Sequence, residues 1–82
     1  MATSSEISEW FDRGKSSPEN THMLVVCDTF DYEDYPVFVK KDKNVQEVYS
    51  EYNGKNMQRV MEVYNLNMDK NAQLTGKRTF NF

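Results

Sequence analysis

The sequence predicts a single α+β domain over residues 1–82, in which a β-hairpin and a further C-terminal strand carry short helices packed on one side. Two strand-like apolar runs flank an acidic turn, and segments with helical spacing of apolar residues lie on either side of that pair. A chain of 82 residues forms one domain and buries about 60 to 65% of the surface that its unfolded form exposes. We therefore expect the protein to act through its surface rather than through a deep pocket.

The spacing of apolar residues in the N-terminal segment predicts an amphipathic helix over about residues 4–13. Thr3 and Glu6 have the spacing of a capping box, in which each side chain bonds the other residue's backbone N–H. Gly14 is the residue type that most readily adopts the left-handed conformation with which many helices end. The apolar residues that share one face of this helix are Ile7, Trp10 and Phe11.

Two strands are predicted next, joined by an acidic and aromatic turn. The continuous apolar run from Met23 to Cys27 is typical of a strand that is covered on both faces. The run from Tyr35 to Val39 alternates as a second strand. Pro36 fits near the start of that strand or on a sheet edge, where a missing N–H is tolerated. The pair predicts a β-hairpin.

Repeated helical spacing predicts two further helices. The first covers residues 45–52, is capped by Asn44 and ends at Asn53-Gly54, with an apolar stripe of Val45, Val48, Tyr49 and Tyr52. The second begins at Asn56 and ends at Asn65 or Asn67, with an apolar stripe of Met57, Val60, Met61 and Tyr64.

The last part of the chain predicts a turn of helix and a strand. Asp69 would cap a helical turn that runs through Leu74 and stops at Gly76, and residues 78–82 alternate as a strand. The predicted order is α, β, β, α, α, β. The expected core is Trp10, Phe11, Leu24, Val26, Val37, Val39, Val48, Tyr49, Tyr52, Val60, Met61, Tyr64 and Phe80.

Charge and cysteine content narrow the classes of function. The net charge is −3, but residues 1–34 hold eight acids and two bases, whereas residues 35–82 hold five acids and eight bases. The single cysteine excludes an intrachain disulfide and favours a reducing, cytoplasmic location. The first residues do not have a signal-peptide pattern, and no apolar run approaches the roughly 18 residues of a membrane span. We expect a soluble protein without membrane association.

Residue spacing predicts no catalytic residue, no metal site and no cofactor. His22 and Cys27 are separated by five positions on one strand, which puts their side chains on opposite faces and prevents proton transfer between them. An EF-hand loop that starts at Asp28 or at Asp31 would need a glycine and a glutamate at fixed positions, and other residue types occupy those positions. Isolated glycines form no phosphate loop, and one cysteine with one histidine cannot complete a typical zinc site. Enzymatic activity is left undecided, with a non-catalytic role favoured.

The predicted partner-binding surface is the hairpin turn, made of Asp31, Tyr32, Glu33, Asp34 and Tyr35. Rigid aromatic side chains set among carboxylates can bind a basic groove on another protein, and the row of negative charges can imitate a nucleic-acid backbone. The sequence thus favours a non-catalytic protein-binding or regulatory module whose partner carries a basic surface.

Two alternatives stay open. The first is a small enzyme or ligand-binding subunit whose pocket forms on self-association. The second is a weak nucleic-acid binder that uses basic residues near Tyr49 and Tyr52, namely Lys40, Lys41, Lys43, Lys55 and Arg59. Both tyrosines belong to an apolar helix stripe, and acids are interspersed among the bases, which argues against nucleic acid.

From His22 to Val39, and again from Asn53 to Tyr64, the chain resembles a group of short, uncharacterised bacterial or phage proteins. They share a Val-Val-Cys-Asp-Thr-Phe-Asp strand and turn and an aromatic C-terminus. The resemblance implies a compact protein of bacterial or phage type. It implies no activity, and it assigns no functional residue.

Overall fold

The computed structural model describes residues 3–76 and 79–82, and it confirms the α+β class. Within these residues the elements run α, β, β, α, β, α, so the first four follow the predicted order and the last two do not. Their bounds are α1 Ser4–Lys15, β1 Asn20–Asp28, β2 Glu33–Lys40, α2 Val45–Tyr52, β3 Gln58–Asn65 and α3 Lys70–Thr75.

The strands form an antiparallel sheet in the order β2-β1-β3, so the apolar run of β1 is the central strand. Val26, for example, lies between Tyr35 of β2 and Val60 of β3. The predicted hairpin is confirmed, and Pro36 lies in the edge strand β2, where a missing N–H is tolerated.

Helices cover both faces of the sheet, so the prediction that they lie on one side is wrong. Met23 and Val25 of β1 face α1 and α3 in one apolar cluster. Leu24 and Val26 face α2 in a second cluster. All four side chains are at most 1% exposed. The side chains of a central strand point to both faces of the sheet, and here helices cover each face.

The predicted helix over residues 56–65 is wrong, because this segment forms β3. A β-bulge at Met61 adds one residue to β3 between the positions opposite Val25 and Val26. The extra residue places Val60 and Val63 on the α2 face and Met61 and Tyr64 on the α1 face. Each pair is three residues apart, which is the spacing that imitated a helix.

Side-chain caps fix the helix starts as predicted. Thr3 and Glu6 form both bonds of the capping box at α1. Asn44 Oδ1 accepts from the N–H groups of the second and third residues of α2, and Asp69 accepts from the N–H of the third residue of α3. The prediction that Gly14 ends α1 is wrong, since the helix continues to Lys15. A Cβ on Gly14 would lie 2.6 Å from the ring of Phe38, so close packing requires the glycine.

The predicted core is largely confirmed. Phe11, Leu24, Val26, Val39, Val60 and Tyr64 are fully buried, and the half-buried Trp10, Val37, Val48, Tyr49, Tyr52 and Met61 pack against them. Phe80 is exposed, so its assignment to the core is wrong. Four buried apolar residues among those described were not predicted, namely Met23, Val25, Val63 and Leu66.

The predicted C-terminal strand is present in reduced form. Phe80 makes an isolated parallel bridge with Val63 of β3, and the start of the predicted strand at residue 78 lies outside the described residues.

Candidate protein-interaction surface

The turn between β1 and β2 is shaped by Asp28. Its carboxylate Oδ1 accepts a hydrogen bond from the backbone N–H of Phe30 at 2.9 Å, and its carbonyl accepts from the N–H of Tyr32 at 2.6 Å. Tyr32 adopts a left-handed backbone conformation with φ 58°. Such a conformation is costly for a bulky residue and is retained where the surrounding structure imposes it.

A second loop, between α2 and β3, is bonded to this turn. The backbone N–H and the side-chain hydroxyl of Thr29 both donate to the carbonyl of Met57 at 2.8 Å. Asn56 and Met57 also have positive φ angles, of 53° and 59°. We call the two joined segments, residues 28–34 and 53–59, the hairpin end.

The hairpin end exposes large apolar side chains. Phe30 is 70% exposed, Tyr32 73% and Met57 61%, and among the described residues these are the most exposed large apolar side chains. Exposed apolar groups that lie together and are surrounded by polar residues mark interaction surfaces. Residue spacing did not predict Phe30 or Met57 as surface residues. Two features of the sequence could have indicated their exposure: Phe30 lies inside an acidic turn, and Met57 directly follows the Asn-Gly-Lys-Asn loop.

The structure brings together part of the predicted partner-binding set. Asp31, Tyr32 and Glu33 are exposed on the turn, and Asp34 is half-buried. Tyr35 is also half-buried and packs against the cluster under α2, where the amide of Gln58 donates to its hydroxyl. Burial raises the pKa of the Tyr35 hydroxyl, and the nearby Tyr52 adds to the effect.

Acids outnumber bases at the hairpin end. Asp28, Asp31, Glu33 and Asp34 lie on the first segment, and Lys55 and Arg59 on the second. Asp34 and Arg59 occupy positions on either side of Cys27 in the sheet. The hairpin end therefore carries four acids and two bases, and both bases lie on the second segment.

The basic set proposed for nucleic acid does not form one cluster. Lys40 pairs with Glu19 at 3.6 Å and lies at the end of the sheet that Asn20 begins, next to Lys41 and Lys43. Lys55 and Arg59 lie at the opposite end, roughly 20 Å away at strand spacing. A nucleic-acid backbone would therefore not meet these five bases as a single patch.

Cys27 and His22 do not form a nucleophile and base pair. Strand alternation puts His22 on the face of Leu24 and Cys27 on the face of Val25, as predicted. Burial raises the pKa of the Cys27 thiol, and the Asp34 carboxylate that bonds it adds to the rise. Burial lowers the pKa of His22, whose Nδ1 lies 2.9 Å from the Thr21 hydroxyl.

Three other features of residues 3–76 and 79–82 concern metal binding, a surface depression and membrane crossing. No group of three or more His, Cys, Asp and Glu side chains there is arranged to hold a metal ion. A shallow depression between α1 and α3 is open to solvent and lined by Ser4, Ser5, Ser8, Asn71, Leu74 and Thr75. None of the helices in this part of the chain is long and apolar enough to cross a membrane.

No protein-family model, no curated protein and no solved structure matches this chain. The resemblance to short bacterial or phage proteins therefore stays a prediction. The fold and the surface together define a small α+β domain that exposes large aromatic side chains at the hairpin end.

Proposed function

We propose that the protein is a non-catalytic binding module that contacts a partner protein through the hairpin end. The observation that carries this proposal is the exposure of Phe30 and Tyr32, at 70% and 73%. Folding normally buries aromatic side chains of this size, and large aromatics are among the residues that contribute most at protein interfaces.

Hydrogen bonds join the two loops of the hairpin end to each other. The paired bonds from Thr29 to Met57 hold the two loops together before any partner arrives. Asp28 fixes the turn that carries Phe30 and Tyr32. A surface already held in its binding conformation loses less conformational entropy on association.

The charge of the hairpin end selects the kind of partner. The exposed carboxylates of Asp31 and Glu33 lie beside the exposed aromatics, which matches an apolar socket with a basic rim on the partner. Charges at such a rim act mainly on the association rate, because they steer the partner before contact.

A capture experiment followed by titration tests the apolar part of this proposal. The immobilised protein would retain the partner from a cell extract, and the partner would then be titrated against wild type and the Phe30→Ser/Tyr32→Ser variant. Truncation of a central interface aromatic costs about 2 kcal/mol or more, so we expect affinity to fall by at least about tenfold.

Met68→Ser is the matched control, because Met68 is 47% exposed and follows β3 at the other end of the sheet. It should leave affinity within about twofold of wild type. Equal retention of all proteins by wild type and the Phe30→Ser/Tyr32→Ser variant would show that the hairpin end is not the contact surface.

The acidic part is tested by association kinetics. Asp31→Asn/Glu33→Gln/Asp34→Asn should slow association and weaken its dependence on salt, since exposed charges more than about 8 Å apart are screened at physiological ionic strength. The control Asp42→Asn/Glu47→Gln removes two exposed acids outside the hairpin end. An association rate that stays the same in the first variant would contradict the role of the acids.

A further inference from the structure

The outer edge of β3 carries a short extended segment of the same chain, residues 79–82. The N–H of Val63 donates to the carbonyl of Thr79 at 2.8 Å, and the N–H of Asn81 donates to the carbonyl of Val63 at 2.9 Å. Phe80 lies opposite Val63 in a parallel bridge. These bonds involve only backbone atoms, so they impose no particular side chain on the segment.

Aromatic contacts define one side of this edge. Tyr49 of α2 meets the rings of Phe80 and Phe82 edge to face, with ring centroids 6.3 Å and 5.1 Å apart. Phe80 and Phe82 stack on one another at 6.4 Å. The two rings nevertheless stay 37% and 46% exposed, so the segment lies on the protein surface and is not sealed into the core.

Gln73 of α3 defines the other side. Its side-chain Oε1 accepts from the amide of Asn81 at 3.0 Å, and its backbone carbonyl accepts from the hydroxyl of Thr79 at 2.8 Å. Gln73 is itself 3% exposed and is held in place by hydrogen bonds to Asn65. The β3 edge, Tyr49 and Gln73 together form a groove, which we call the edge groove.

We infer that the edge groove is a peptide-binding site that the chain fills with its own residues 79–82. Its partner in trans is an extended peptide with two aromatic residues separated by one amide-bearing residue, because the bound segment displays the chemistry that the groove accepts. Addition of a strand to a sheet edge takes its affinity from backbone bonds and its specificity from pockets for alternate side chains. The edge groove supplies both, at Val63 and at Tyr49 with Gln73.

The chain's own segment competes with any peptide from solution. A tethered segment has an effective concentration in the millimolar range when its linker is short. A free peptide must therefore bind poorly to the wild type and better to a variant whose own segment holds the groove less firmly. The edge groove is built from elements other than the hairpin end, so failure of one proposal leaves the other intact.

The test uses the 82-residue protein and a fluorescein-labelled Thr-Phe-Asn-Phe peptide, whose binding is followed by fluorescence anisotropy. The Phe80→Ser/Phe82→Ser variant removes both ring contacts with Tyr49 while the backbone of the segment remains. We expect the peptide to bind this variant at least tenfold more tightly than the wild type. A Thr-Ser-Asn-Ser peptide should bind neither protein. Met68→Ser removes an exposed apolar side chain outside the edge groove and should behave as wild type.

A second variant keeps the test decisive if the first does not fold. Thr79→Ala/Asn81→Ala retains both rings and loses both side-chain bonds to Gln73. It should also bind the peptide more tightly than wild type. Circular dichroism establishes which variants are folded. Absence of peptide binding by a folded variant at millimolar peptide, or equal binding by variant and wild type, would overturn the assignment.

Discussion

The side-chain amide of Gln73 pairs with the backbone of Asn65 as a neighbouring strand would. Gln73 Nε2 donates to the carbonyl of Asn65 at 2.9 Å, and Gln73 Oε1 accepts from its N–H at 2.8 Å. Nε2 also donates to the carbonyl of Asp69 at 3.1 Å. A buried polar side chain is tolerated when its bonds are made, and here those bonds finish the ladder at the end of β3 and fix α3 beside it.

Replacement of Gln73 by leucine should destabilise the protein. Gln73→Leu keeps a side chain of similar size and leaves the N–H and carbonyl of Asn65 without the bonds that Gln73 supplies. An unsatisfied buried polar group costs about 1 to 3 kcal/mol, so we expect the free energy of unfolding to fall by about 2 to 4 kcal/mol. Urea denaturation measures this. Gln46→Leu, on the exposed face of α2, is the control and should change stability by about 0.5 kcal/mol or less.

A methyl group at Gly14 should meet the ring of Phe38. In Gly14→Ala the new Cβ would lie 2.6 Å and 2.8 Å from two ring carbons of Phe38. Overpacking of this kind costs about 1 to 3 kcal/mol, whereas alanine gains up to about 1 kcal/mol of helix propensity. We expect a net loss of stability in thermal and urea unfolding. The Gly14→Ala/Phe38→Leu variant should recover part of it, and purely additive effects would show that the contact is not the cause.

The stability of the protein should fall as His22 becomes protonated. Burial lowers the pKa of His22 below its ordinary value of 6.5, and its Nε2 has no hydrogen-bond partner among the described residues. The folded state therefore binds fewer protons than the unfolded chain near that pH. The part of the stability that depends on neutral His22 is present above about pH 6.5, and it is lost as the pH falls from there through the folded pKa. Urea midpoints measured from about pH 8 to pH 5.5 should decline in wild type and less in His22→Gln. If the urea midpoints of wild type and His22→Gln declined in parallel with pH, other titratable groups would be responsible for the decline.

Alkylation of Cys27 should be slow in the native protein. Burial and the Asp34 carboxylate raise the pKa of its thiol, so little of the reactive thiolate is present near neutral pH. We expect iodoacetamide to react severalfold faster with Asp34→Asn, and faster again with protein unfolded in urea. Asp31→Asn removes an exposed acid from the same turn and should leave the rate unchanged. Equal rates in native and unfolded protein would contradict the partial burial of Cys27.

Elements with local signals were predicted correctly. The capping box at Thr3, the cap at Asn44 and the stop at Asn53-Gly54 fix helices α1 and α2 through side chains only a few residues away. The apolar run from Met23 to Val26 likewise defined a strand covered on both faces, because burial on both sides needs apolar residues at consecutive positions. The acidic turn was also recognised, although the exposure of Phe30 was not.

The state of residues 57–64 and the placement of the helices depend on contacts between distant parts of the chain. The bulge at Met61 gives a strand the three-residue spacing of a helix, and pairing with β1 resolves the ambiguity through backbone bonds to residues about 35 positions earlier in the chain. The same long-range contacts put Gln73 beside Asn65 and bring Met57 to Thr29. No local pattern encodes them, because they depend on which segments become neighbours when both faces of the central strand are covered.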